Sequence, residues 1–356
     1  MPARTRMPVF DGHNDILFRL NKKASKSPER DFVDGDGEGH LDLPRMLTGG
    51  FAGGLFAVYV PPKESLYGLD DLMTGERYDV PLSPLMEAAE AMPTAMAMVA
   101  ILIRMERASA GKFKICRTAA DIRTCLANGT VAAVLHMEGA EAIDRDLHAL
   151  EVFHQAGLRS IGPVWSRPTI FGHGVPFRYP STGDTGPGLT EAGKALIKAC
   201  NQLGIAIDLS HMTEKGFWDV AKLNRKPLIA SHSNAHAICP HARNLTDKQL
   251  VAIKESGGLV GLNFATCFLR PDGQIGDSTP IELMLRHLDH LIAKLGVEHV
   301  GLGSDFDGAK VPEAIGDVAG LPVLVAAMQV HGYDEPTIKR LCHANWIDVL
   351  ERTWSG

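Results

Sequence analysis

Short apolar, β-prone runs recur along the chain at residues 8–12, 55–60, 131–135, 160–164, 205–209, 228–230, 259–263 and 300–303, each of strand length. Between them the apolar positions switch to helical spacing. The clearest case follows Pro280, where Ile281, Leu285, Leu288, Ile292 and Leu295 share one face before Gly296 ends the pattern. A second helix opens with Thr246 and Gln249 at capping-box spacing, presents Leu250 and Ile253, and stops at Gly257 and Gly258. A third is expected over residues 141–157, with Ile143, Leu147 and Leu150 facing inward. Eightfold strand-helix alternation predicts a parallel sheet, and near-continuous apolar strands predict that both its faces are covered. A closed (β/α)8 barrel of the TIM type fits best, with an open doubly wound sheet as the alternative. No internal repeat and no linker rich in Pro, Gly or Ser divides the chain, so residues 1–356 are expected to form a single domain. The extra length falls in three insertions, 21–48, 61–82 and 166–188, expected as long loops at the C-terminal face of the barrel.

Composition narrows the function classes. A formal charge of -6 with no basic block argues against a nucleic-acid groove or an anionic membrane surface, and makes a small molecule the expected partner. The apolar stretch near the N-terminus breaks at Asp11, too soon for a signal segment, and the greasy segment 91–103 contains Pro93 and falls short of the ~20 residues of a membrane span. Six cysteines (116, 125, 200, 239, 267 and 342) form no C-x-x-C pair and read as buried free thiols in a reducing cytoplasm.

Barrel enzymes carry their chemistry at the C-terminal ends of the strands. Here the first run ends in Asp11-Gly12-His13-Asn14-Asp15, the third in His136-Met137-Glu138-Gly139, the fifth in Asp208-Leu209-Ser210-His211, the sixth in Ser231-His232-Ser233 and the eighth in Ser304-Asp305-Phe306-Asp307. The His13-x-Asp15 spacing puts both side chains on one face of a strand, whereas the same spacing at His287-x-Asp289 falls on a helix, where the two diverge. Three histidines and two carboxylates (His13, Asp15, Glu138, His211, His232) suit a pair of divalent ions such as Zn²⁺, with Glu138 as the bridge because its strand lies between the others. His136 is assigned a supporting or packing role, since five ligands already serve two ions. Other motifs fail: Asp34-Gly-Asp36-Gly-Glu38 opens like a calcium loop but reaches Arg45 where a bidentate Glu is required, and neither a complete dinucleotide fingerprint nor a G-x-S-x-G elbow occurs.

The stretches DGHND at 11–15, LDLPRM with GG within 41–50, EG at 138–139, DLSHM at 208–212, SHSNA at 231–235, RNLTD at 243–247 and GSDFDG at 303–308 together resemble the membrane (renal) dipeptidases, binuclear zinc peptidases with an amidohydrolase-like barrel. The resemblance implies that His13 and Asp15 hold one zinc, that His211 and His232 hold the other, and that Glu138 bridges them. It implies a shared hydroxide as nucleophile, Asp305 as proton shuttle and Arg243 as the grip on the substrate carboxylate, with a plain surface arginine as the alternative for residue 243. Two departures stand out. Many relatives have a histidine after the fourth strand, where this chain has Trp165, a substrate-binding candidate, and His173 in the following loop is expected to supply the missing imidazole. The C-terminal sequence shows no hydrophobic tail for a lipid anchor. The expectation is a cytoplasmic zinc dipeptidase cleaving dipeptides, including those with a C-terminal D-residue and, by family analogy, β-lactams, with homodimerisation left open. The rivals are an amidohydrolase acting on N-acyl amino acids or cyclic amides, and a non-catalytic binding protein that keeps the metal shell.

Overall fold

The computed structural model describes residues 6–62 and 69–355, so part of the 61–82 insertion lies outside the described residues. All eight apolar runs become parallel strands: β1 (Val9–Asn14), β2 (Phe51–Tyr59), β3 (Val131–Glu138), β4 (Leu158–Ile161), β5 (Ala206–Ile207), β6 (Ile229–Ala230), β7 (Leu259–Asn263) and β8 (Val300–Gly303). They pair in the order β5-β4-β3-β2-β1-β8-β7-β6. A parallel bridge between Asp208 and Ile229, with the Leu209 N–H donating to the Ile229 carbonyl at 2.8 Å, joins the two ends into a nearly closed barrel. One further short strand, Phe113–Ile115, pairs with the first half of β3 beside the barrel.

Alternation along the strands separates two cores. Val9, Phe56, Val58, Ala133 and Leu135 pack outward against the helices, while Phe10, Leu55, Ala132, Val134, Ile229 and Leu259 pack together as a second cluster that fills the barrel. Trp346, on the C-terminal helix Asn345–Trp354, is fully buried in that second cluster and donates its indole N–H to the Leu302 carbonyl at 2.9 Å. Its ring occupies space that side chains at Gly12 and Gly301 would need, since a Cβ there would lie 2.4 and 2.5 Å from it. These glycines on β1 and β8 let the indole seal the lower end of the barrel.

The helix following Pro280 spans Ile281–Leu295, and the Thr246 capping box starts the helix Asp247–Glu255. The expected helix over 141–157 is shorter, His148–Ala156. Leu147 adopts φ 63°, and the Asp144 carboxylate accepts the N–H groups of His148 and Ala149, so the chain before the helix is a loop that turns Glu141 inward. The apolar segment around Pro93 is longer than the sequence pattern suggests: helix Ala88–Ala108 has 21 residues and is apolar enough to span a bilayer, but Ala91, Ala95, Met98, Leu102 and Met105 are buried in the outer core. Of the three insertions, 21–48 folds into helices Pro28–Asp34 and Leu43–Gly49, while 61–82 and 166–188 are tied together by the antiparallel pair Tyr78–Asp79 and Arg178–Tyr179. All six cysteines are free and buried.

Truncating a large core aromatic costs about 3–5 kcal/mol. Trp346→Ala is therefore expected to lower the unfolding free energy in urea by that amount, and a loss under about 1 kcal/mol would show that the indole does not support the barrel floor.

Candidate metal centre and active site

The strand ends predicted to carry chemistry converge. Phe10 and Gly12 face the barrel interior, so strict alternation would aim His13 and Asp15 outward; the register of β1 against β2 shifts between Asp11 and Asn14 and re-aims both inward. His13 Nε2 then lies 3.2 Å from Asp15 Oδ2 and 3.6 Å from Glu138 Oε2. On the other side of the same carboxylate, Glu138 Oε1 is 3.0 Å from His211 Nε2 and 3.4 Å from His232 Nε2, and the two imidazole nitrogens are 3.1 Å apart. All five residues are buried. His13, Asp15 and Glu138 form one compact donor group, and Glu138, His211 and His232 form another.

Hydroxyl groups hold the imidazoles from behind. Ser231 Oγ donates to Asp208 Oδ2, which leaves its lone pair to accept from His232 Nδ1 at 2.7 Å and leaves Nε2 unprotonated toward Glu138. Asp208 also accepts the N–H groups of Ser210 and Ser231. Ser166 Oγ lies 2.7 Å from His211 Nδ1. His136 sits below the cluster, outside both donor groups, with Nδ1 on Ser160 Oγ at 2.9 Å; burial pushes it down to about 3, so it is a neutral packing ring. The rival His-x-Asp pair is structural: His287 accepts the Ala235 N–H and meets the Leu269 carbonyl, while Asp289 pairs with His331 and Tyr333.

The electrostatics fit cations. Burial pushes His211 and His232 well below the ordinary imidazole value, which keeps both neutral and able to ligate. Burial also acts to lower His13, but Glu138, Asp15 and Asp305 outweigh it and drive that imidazole up to about 10. Two buried carboxylates and the half-buried Asp305 thus draw a positive charge into the cluster. Asp15 Oδ1 and His13 Nδ1 have no protein partner. Two neutral imidazole nitrogens 3.1 Å apart that face one carboxylate oxygen form a compact donor group whose chemistry suits divalent transition metals.

Asp305 follows β8 in the left-handed region, φ 60°, as does His211 at φ 68°. Its Oδ2 accepts from the Asn263 amide at 2.9 Å, and burial raises its carboxyl above the usual range. Asn263, at the end of β7, escaped a strand-end survey confined to histidine and carboxylates. Ser304 N–H and Oγ both donate to Asp11, which fixes the start of this loop to β1. Arg243 is buried rather than at the surface; Nη2 donates to the His232 carbonyl at 3.1 Å, Nε has no protein partner, and the guanidinium lies 5.3 Å from the Phe268 ring centre.

A cavity of about 690 Å³ opens above the cluster, with Asp15, Glu138, His211, Asp305 and Trp165 in its wall. Trp165 stands 5.9 Å from the His211 ring. His173 does not reach this wall among the described residues. Its backbone runs beside Thr213, but the ring turns into its own loop, with Nδ1 3.3 Å from the Gly188 carbonyl, so the imagined replacement for the lost imidazole is not formed.

Residues 3–354 match the family described as membrane dipeptidase, peptidase family M19. A crystal structure of a metallo peptidase from Rhodobacter sphaeroides liganded with a phosphinate mimic of the dipeptide L-Ala-D-Ala superposes with a TM-score of 0.96 at 58% identity, covering 98% of this chain and 100% of that one. A Klebsiella pneumoniae protein described as lying in the pqqA 5' region is 49% identical over 72% of this chain and 94% of its own length. Dipeptidase tcpJ of Claviceps purpurea is 26% identical over 96% of this chain and 76% of its own. With the match running nearly end to end, this chain belongs to the membrane dipeptidase family, peptidase family M19.

Proposed function

We propose that this metallo-dipeptidase family member hydrolyses the peptide bond of dipeptides with two zinc ions, one held by His13 and Asp15, one by His211 and His232, and both by Glu138. The observation that carries this reading is the placement of the two Glu138 oxygens, each turned to a different donor group. Two divalent ions there would acidify a shared water and polarise the scissile carbonyl. The chain supplies the rest. Asp305, half-buried at the cavity wall and oriented by Asn263, accepts the proton of the attacking water and returns it to the departing amine. Arg243, buried beside His232 with Nε directed at no protein acceptor, takes the substrate carboxylate and so sets which bond lies over Glu138. Trp165 closes the cavity on the His211 side and excludes water there. The L-Ala-D-Ala mimic bound by the Rhodobacter sphaeroides relative supports acceptance of a D-residue at the C-terminal position.

Elemental analysis should find close to two zinc ions per chain, and Glu138→Ala should reduce the content of both sites because one carboxylate serves both; full metal content with retained activity in the variant would contradict the bridging assignment. Replacing the substrate's carboxylate by an amide removes a charge-assisted pair worth of order 2–5 kcal/mol in a dry site. The resulting fall in kcat/KM should be large for the native protein and much smaller for Arg243→Met, whereas an equal penalty in both proteins would take Arg243 out of this role.

A further inference from the structure

Four aromatic rings stand in a row along one wall of the cavity: Tyr59 at the end of β2, Trp165 beyond β4, Phe177 in the 166–188 segment and Phe268 beyond β7. Neighbouring ring centres are 5.0, 5.7 and 6.2 Å apart. The Arg243 guanidinium marks one end of the row, over Phe268, and Tyr59 lies at the other. Trp165 and Phe177 both reach the His211 ring, at 5.9 and 6.2 Å.

The row is braced from behind. Arg167 is fully buried, pairs with the buried Glu141 carboxylate at 2.7 Å, and donates to the Val60 carbonyl just past β2. Its guanidinium lies 5.8 Å from the Trp165 ring centre, so one cation ties the indole to the loops after β2 and β3. Phe177 and Ile275 pack with Tyr78 and Val80, which anchors the middle of the row to the small antiparallel sheet. Rings held this way present a preformed apolar surface and need little ordering when a ligand arrives.

The next step rests on the dipeptidase reading. With the substrate carboxylate on Arg243 and the scissile bond over Glu138, the C-terminal residue passes Phe268, and the N-terminal residue lies past the metal ligands, where Trp165 and Tyr59 form the wall. A methyl group there covers little of either ring. An aromatic or large aliphatic side chain stacks against both and removes their faces from water. We infer that Trp165 and Tyr59 form the pocket for the N-terminal side chain, and that the substrate class is dipeptides with a bulky apolar, above all aromatic, N-terminal residue.

The test compares kcat/KM for Phe-Ala, Ala-Phe and Ala-Ala with zinc-loaded native protein and Trp165→Ala, each checked for metal content and thermal unfolding. The native protein should prefer Phe-Ala to Ala-Ala by tenfold or more, and Trp165→Ala should reduce that ratio about tenfold while the Ala-Phe to Ala-Ala ratio stays within a factor of two or three. Trp165→Phe should recover most of the preference. Equal rates on Phe-Ala and Ala-Ala in the native protein, or an unchanged ratio in Trp165→Ala, would overturn the inference while leaving the dipeptidase reading intact. Should Trp165→Ala fail to fold, the native preference and Trp165→Phe decide the matter. Hydrolysis of none of the three dipeptides would instead overturn the dipeptidase reading itself.

Discussion

Glu138 sits where two groups of donors meet, and its buried carboxylate sets the condition that the surrounding residues must satisfy. A carboxylate removed from water is costly unless positive charge or hydrogen-bond donors compensate it. Here Asp15 is buried with it, Asp305 is half-buried beside it, and the nearest cation of the protein, Arg243, is turned toward the His232 carbonyl. Without another cation the carboxylates draw a proton onto His13, against the effect of its burial. Two divalent ions would balance this charge. The charge pattern and the geometry therefore call for the same ligands.

The barrel makes that concentration of charge mechanically tolerable. Strands β1 and β8 end in residues that are fixed to one another: Asp11 accepts from Ser304, the Asp305 N–H donates to the His13 carbonyl, and the Asp15 N–H donates to the Phe306 carbonyl. Asp208 does the same between β5 and β6 through Ser210 and Ser231. The left-handed backbone at His211 and Asp305 persists because these bonds over-determine it. Below, the indole of Trp346 fills the barrel beneath the cluster, so the upper rim can be polar while the lower half remains a packed core.

Much of this was legible from residue order. Parallel barrel strands are buried on both faces, so they stand out as apolar runs, and the polar residues just past them mark the rim; that is why candidate ligands could be named at the ends of β1, β3, β5 and β6, and a carboxylate at the end of β8, before any geometry was known. The irregularity in β1 was not legible, because a register shift depends on pairing with β2, and a simple alternation argument reaches the shared face of His13 and Asp15 without revealing that it takes a shift to turn it inward. The helix at 148–156 is shorter than its apolar spacing suggests because Asp144 caps it locally and Glu141 is committed to Arg167. The direction of the His173 ring was not legible for a similar reason: loop composition says nothing about which way a ring turns, and this one meets the Gly188 carbonyl. Asn263 and Ser231 act through hydrogen bonds to charged partners, which no spacing rule exposes.

The most direct test of the central claim is anomalous X-ray diffraction at the zinc edge from crystals of the protein purified with zinc. Two ions bridged by one carboxylate and a shared water lie about 3.5–4 Å apart. The account predicts two strong anomalous peaks at that separation on either side of the Glu138 carboxylate, one beside His13 and Asp15 and one between His211 and His232. A single peak, or peaks that Glu138 does not join, would contradict it.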